Sequence, residues 1–174
     1  MSNKYVREIL EWILVIVVAA AAAWFITNVL IVNATVPTQS MENTIMAKDR
    51  LVGSRLSYRN SDPERGDIII FKYPDDESIL FIKRVIGLPG ETVEIHDGNV
   101  YIDGAILDEP YLDVRTDGNY GPYEVPEDHF FMMGDNRNNS ADSRYWTHTY
   151  LARDQVVGRA LFKYWPKIES LKDK

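Results

Sequence analysis

Residues 79–102 read ILFIKRVIGLPGETVEIHDGNVYI. Ile79 to Ile86 is an apolar run interrupted by Lys83 and Arg84, and Gly87, Pro89 and Gly90 end it with residues that break regular structure. Thr92 to His96 and Asn99 to Ile102 then flank Asp97-Gly98, a pair that readily takes the positive φ of a two-residue hairpin turn. The stretch predicts a strand followed by a β-hairpin.

The same punctuation continues on both sides. Arg50 to Ser57, Asp67 to Lys72, His129 to Met133 and Gln155 to Tyr164 are short runs rich in Ile, Val, Phe and Tyr, with Gly, Pro, Asn and Asp between them. With no crossover helices among them, they predict an all-β domain, a distorted barrel or sandwich of short, mainly antiparallel strands. Asp108 to Asp128, rich in Asp, Glu, Pro, Tyr and Gly, reads as loop.

Ahead of this domain, Trp12 to Val32 reads WILVIVVAAAAAWFITNVLIV without a charge. As a helix rising about 1.5 Å per residue it reaches across roughly 30 Å of hydrocarbon. A cleaved secretory leader has an apolar core of only about 7–15 residues, and here mostly apolar residues continue past Ala19 to Ala23. Lys4 and Arg7 precede the run, and the next basic residue is Lys48. The positive-inside tendency therefore assigns residues 1–11 to the cytoplasm, 12–32 to a single transmembrane anchor and 33–174 to an extracytoplasmic β domain.

Lys4, Arg7, Glu8 and Glu11 cancel, so the remainder carries the whole net charge of −7. Such a surface repels phosphate backbones, which argues against nucleic acid as a partner. The chain has no cysteine, so thiol catalysis, disulfides and thiolate metal sites are excluded. His96, His129 and His148 form no metal-ligand spacing. An EF-hand counted from Asp135 fails at its third and twelfth places, which are Arg137 and Trp146. No metal and no cofactor is expected.

Three segments carry candidate chemistry: VPTQSMENTI at 36–45, FIKRVIGLPGE at 81–91 and GDNRNNSADSR at 134–144. Ser40 follows the anchor closely, a placement suited to a membrane-embedded substrate, although a serine in a polar turn after a proline also reads as a solvated loop residue. Lys83 shares a strand face with Ile79, Phe81 and Val85, and Arg84 shares the other with Leu80, Ile82 and Ile86. Both faces are apolar, as in a buried strand. A lysine there either snorkels to solvent or is desolvated, which lowers its pKa and permits general-base work.

These three segments in this order behind an anchor, with GDIIIF at 66–71 as a fourth, resemble bacterial type I signal peptidases of the short, single-anchor kind. The resemblance covers nearly the whole chain. It implies a membrane-bound Ser-Lys endopeptidase that removes signal peptides from secretory preproteins after small-x-small sites, at the outer face of the bacterial cytoplasmic membrane and in contact with its lipid. It assigns Ser40 as nucleophile and Lys83 as general base, with Ser140 hydrogen-bonding the Lys83 amine and orienting it. It assigns the Ser40 N–H and the Thr38 hydroxyl to the oxyanion hole, and the pairs Arg84 with Asp135 and Asp142 with Arg144 to support. Val36, Met41, Ile45 and Ile82, which flank the reacting pair, are the expected walls of the substrate pockets. The family usually has Ser where Thr38 stands and Pro where Asn43 stands. Two other readings fit less well: a Ser-Lys autoprotease of related fold, as in SOS-type repressors, which the anchor disfavours, and a catalytically silent β domain that binds exported chains, which intact Ser40, Lys83 and Ser140 disfavour.

Overall fold

The uncharged amino-terminal run is helical in the computed structural model, which describes residues 2–172. Helix α1, Ser2–Phe25, is solvent-exposed along its described side chains, and Lys4–Leu30 is the stretch among the described residues long and apolar enough to cross a membrane. Thr27 Oγ1 and Asn28 Nδ2 bond back to the carbonyls of Ala23 and Trp24 at 2.9 Å each. Such side-chain bonds compete with the helical ladder, and Ile26–Leu30 forms a π-turn before the chain extends. The helical part therefore stops at Leu30, two residues before the apolar run ends. Ile31 and Val32 belong to strand β1, Ile31–Thr35, and Val32 is buried in the domain core. β-branched residues and a partner strand take over where the helix stops.

β1 pairs antiparallel with β2, Arg50–Ser54, from Ile31 opposite Ser54 to Thr35 opposite Arg50. The connection between them, residues 36–49, carries Ser40. The main sheet continues from β2 through β11, Val156–Trp165, and β3, Ile68–Tyr73, to β4, Asp76–Gly87. Beyond it lie β9, His129–Met133, and β10, Leu151–Ala152, while β12, Glu169–Ser170, pairs with β11.

β5, Thr92–His96, β6, Asn99–Ile102, β7, Ala105–Ile106, and β8, Tyr120–Glu124, form a second, smaller sheet in the order β7-β6-β5-β8. Asp97 and Gly98 have φ of 52° and 79°, the geometry a two-residue turn with both central residues left-handed requires. Asp103-Gly104 repeats it between β6 and β7, with φ of 50° and 79°. The fold is all-β with one amino-terminal helix, as the pattern predicts. β8 falls inside the segment read as loop, because Gly121-Pro122 hides it. It is an edge strand, where a residue lacking an N–H is tolerated.

The run Ile68-Ile69-Ile70-Phe71 does not alternate because both its faces are covered. Ile68 and Ile70 pack with Val32, Val36, Met41, Ile45, Leu51, Ala160 and Leu171. Ile69 and Phe71 pack with Val85, Phe130, Met132, Trp146 and Leu151. Ile86, Phe131 and Met133 join the main sheet to Val93, Ile95, Val100 and Val125. β4 departs from the expected buried strand over its first half: Ile79 and Leu80 are exposed, and burial begins at Lys83. Only from Arg84 onward does β9 cover its second edge.

Candidate active site

The loop 36–49 is tethered at both ends by backbone bonds between Val36 and the Asp49 carbonyl, 3.0 Å, and between Lys48 and the Val36 carbonyl, 2.7 Å. Within it, Ile45 N–H donates to the Met41 carbonyl at 2.7 Å and Glu42 N–H to the Gln39 carbonyl at 3.1 Å. Met41 and Ile45 fasten this turn by sinking into the core, both with no exposed surface. Expected as walls of a substrate pocket, they lie instead in the core and not among the residues lining the cleft described below, their apolar side chains holding the turn. Asn43 sits at φ 80°. Asparagine tolerates this left-handed conformation, and proline with φ locked near −65° cannot adopt it.

Ser40 sits at the rim of this turn, buried to 7% exposure. Its Oγ receives a 2.6 Å hydrogen bond from Lys83 Nζ, reaching across from β4. Lys83 also contacts the Ile82 carbonyl at 3.3 Å, and the Phe81 ring lies 5.1 Å away. At 3% exposure it does not snorkel. Desolvation lowers its pKa to about 8, with the negative charges of Asp142 and Asp135 opposing the shift. Thr38 Oγ1 is 3.2 Å from Ser40 Oγ.

Ser140 stands close by but does not bond Lys83, contrary to the expected contact. Its Oγ is buried without a hydrogen-bond partner, while the Lys83 ammonium is turned to Ser40 and the Ile82 carbonyl. Gly134 separates the two serines. A Cβ there would overlap Ser140 Oγ and the Ser40 carbonyl oxygen, so only glycine allows the segments to approach this closely.

Two buried ion pairs underlie the pair. Asp135 accepts from Arg84 Nε at 2.9 Å, from Arg84 Nη2 at 2.6 Å and from the Thr44 hydroxyl at 2.6 Å. Arg84 Nη1 also donates to the Gly66 carbonyl at 2.9 Å, and the Tyr111 ring lies 3.8 Å from the guanidinium carbon. Asp142 accepts from Arg144 Nε and Nη2 at 2.8 Å each and from Gly134 N–H at 3.0 Å. Both pairs named from the sequence are thus formed.

Sequence reasoning passed over Thr44, Gly134 and Asn136, whose N–H donates to the Ser40 carbonyl at 3.1 Å. It also missed Glu109, paired with Arg137 at 2.5 Å from inside the segment read as loop. Thr44 and Gly134 lie within the quoted segments, yet nothing in their type marks them without the contacts.

A cleft of about 760 Å³ opens over the two residues, lined by 33–40 on one side, 79–83 on the other, and Ala47, Asn139 and Ala141. Val36 and Ile82 are among its walls. The histidines lie elsewhere: His148 binds Asp75 at 2.7 Å, His129 the Glu127 carbonyl at 2.8 Å and His96 its neighbour Asp97 at 3.1 Å.

Residues 9–165 match the family described as signal peptidase, peptidase S26. The chain is 45% identical to a probable signal peptidase I-2 of Synechocystis over 75% of its own length, and spans 62% of that relative. It is 34% identical to signal peptidase I S of Bacillus subtilis, over 92% of this chain and 91% of the other. A solved signal peptidase I from Enterococcus faecalis is 38% identical, covering 57% of this chain and 97% of that one, with a TM-score of 0.49. With the match running through the anchor, the Ser40 loop, the Lys83 strand and the ion-paired loop, the chain belongs to the signal peptidase family, peptidase S26.

Proposed function

We propose that this chain is a membrane-anchored serine endopeptidase that removes amino-terminal signal peptides from exported preproteins after small-x-small sites, with Ser40 as nucleophile and Lys83 as general base. The observation that carries the reading is the 2.6 Å contact between Ser40 Oγ and a lysine amine almost wholly removed from solvent. A desolvated lysine with a pKa near 8 is neutral in a usable fraction at neutral pH. In that form the contact reverses, the Ser40 hydroxyl donating to the amine. Lys83 takes the proton as Oγ attacks the scissile carbonyl, returns it to the leaving amine, and then activates water to hydrolyse the acyl-enzyme. The Ser40 N–H and Thr38 hydroxyl stabilise the oxyanion. Ser140, with a buried hydroxyl to spare, orients the amine once the Ser40 proton has moved.

The cleft favours an extended substrate. β1 ends the main sheet, and β4 before Arg84 is paired only with β3, so backbone edges of both strands are available to a peptide laid between them. Val36 and Ile82, both in the walls of the cleft, are the sides of its pockets for small side chains in this reading. Helix α1 anchors the enzyme in the cytoplasmic membrane with its amino terminus inside and the β domain outside against the lipid, where secretory preproteins emerge. Neither metal nor cofactor takes part.

Cleavage of a preprotein in detergent by wild type, Ser40→Ala and Lys83→Ala tests the assignment. Loss in both variants is expected, and equal rates in all three would refute it.

A further inference from the structure

Beneath the Ser40 loop lies a buried cation for which the proposed reaction has no use. Lys163, on β11, is 8% exposed. Its Nζ lies 2.9 Å from Glu169 Oε2 on β12 and 3.4 Å from Asp49 Oδ2 at the end of the loop, and donates to the Thr44 carbonyl at 3.1 Å. Asp49 Oδ2 also accepts the Met46 N–H at 3.0 Å, closing the loop's last turn. One ammonium thus ties together the middle of the loop, its exit and the carboxy-terminal strand, by one hydrogen bond and two ion pairs.

Packing alone does not call for such a group, because apolar residues often replace a buried ion pair at no loss of stability. Its effect lies in what Thr44 does. Lys163 holds the Thr44 carbonyl, and the Thr44 hydroxyl holds Asp135, which chelates Arg84 beside Lys83. Thr44 shares its turn with Ser40, so one residue touches the supports of both reacting groups.

We propose that Lys163 is a positioning residue of the peptidase: its ammonium sets the turn through the Thr44 carbonyl so that Thr44 holds Asp135 and Ser40 meets Lys83. This rests on Ser40 and Lys83 being the reacting pair. The test uses the full chain in detergent, a preprotein substrate, and circular dichroism to verify folding at the assay temperature.

Lys163→Met and Thr44→Val should each lower kcat by about 10- to 100-fold, the scale of a small misplacement of reacting groups. KM should stay within about twofold, since uniform binding is untouched. Lys163→Arg should restore most of kcat. The double variant Lys163→Met/Thr44→Val should be no slower than the worse single, because both break the same chain of contacts. Wild-type kcat in folded Thr44→Val, losses that multiply in the double variant, or a Lys163→Arg as slow as Lys163→Met would overturn the proposal. If Lys163→Met does not fold, Thr44→Val and Lys163→Arg decide it. Activity surviving in Ser40→Ala would overturn the reacting pair instead.

Discussion

Arg84 grips Asp135 through two hydrogen bonds of 2.9 and 2.6 Å, with the two side chains 1% and 0% exposed. A pair so placed contributes little against an apolar alternative, but breaking it strands a charge. Asp135→Asn leaves the guanidinium without its counter-charge and should cost about 3–5 kcal/mol. Thermal unfolding should register this as a drop of about 2–4 °C per kcal/mol for a chain of this size. An unchanged Tm would contradict the burial of the pair.

As the proposed general base, Lys83 sets the pH dependence expected of the activity. With a pKa near 8, set first by desolvation, the fraction of neutral amine rises through that value. Initial kcat/KM should therefore climb from pH 6 toward a plateau above about 8. A flat profile over this range would exclude a lysine base.

The same burial costs stability. The folded pKa lies below the ordinary 10.5, so between about pH 8 and 10.5 the unfolded chain holds the extra proton and stability rises with pH. Below 8 the penalty is complete, on the order of 3 kcal/mol. Lys83→Met should thus be inactive yet more stable than wild type at pH 7, with the gain fading as pH passes 10. Chemical denaturation at the two pH values measures it, and a variant less stable at pH 7 would count against desolvation.

Thr38→Val keeps the shape of the side chain and removes the hydroxyl 3.2 Å from Ser40 Oγ. If that hydroxyl donates to the oxyanion, kcat should fall by about 10²–10³ with KM little changed. Thr38→Ser should retain activity. Equal kcat for the valine and serine variants would remove Thr38 from the oxyanion hole.

Gly134→Ala forces a methyl group between Ser140 Oγ and the Ser40 carbonyl. Over-packing should destabilise by about 1–3 kcal/mol, and displacement of Ser40 should lower kcat by up to about 100-fold. Kinetics together with an unfolding curve separate the two effects, and wild-type values in both would show that the segments have room to part.

What the chain declares locally was legible without its structure. The Asp97-Gly98 turn was readable because positive φ is a property of the residues that adopt it. The amino-terminal helix was readable because its length and lack of charge are counted directly, although where it stops was not: Val32 lies in a strand because β2 and the core are there to receive it. The proposed reacting residues, Ser40 and Lys83, are singled out by strings that resemble a family, not by periodicity, which leaves both undistinguished. Tertiary structure decided the rest, since the contacts that matter join residues far apart in the chain. Lys83 reaches Ser40 across 43 positions, Thr44 reaches Asp135 across 91, and Lys163 reaches Thr44 across 119. Only the order of strands brings these together. That order also placed Met41 and Ile45 in the core and opened Ile79 and Leu80 to the cleft, because a strand face is buried or bare according to which neighbour lies beside it.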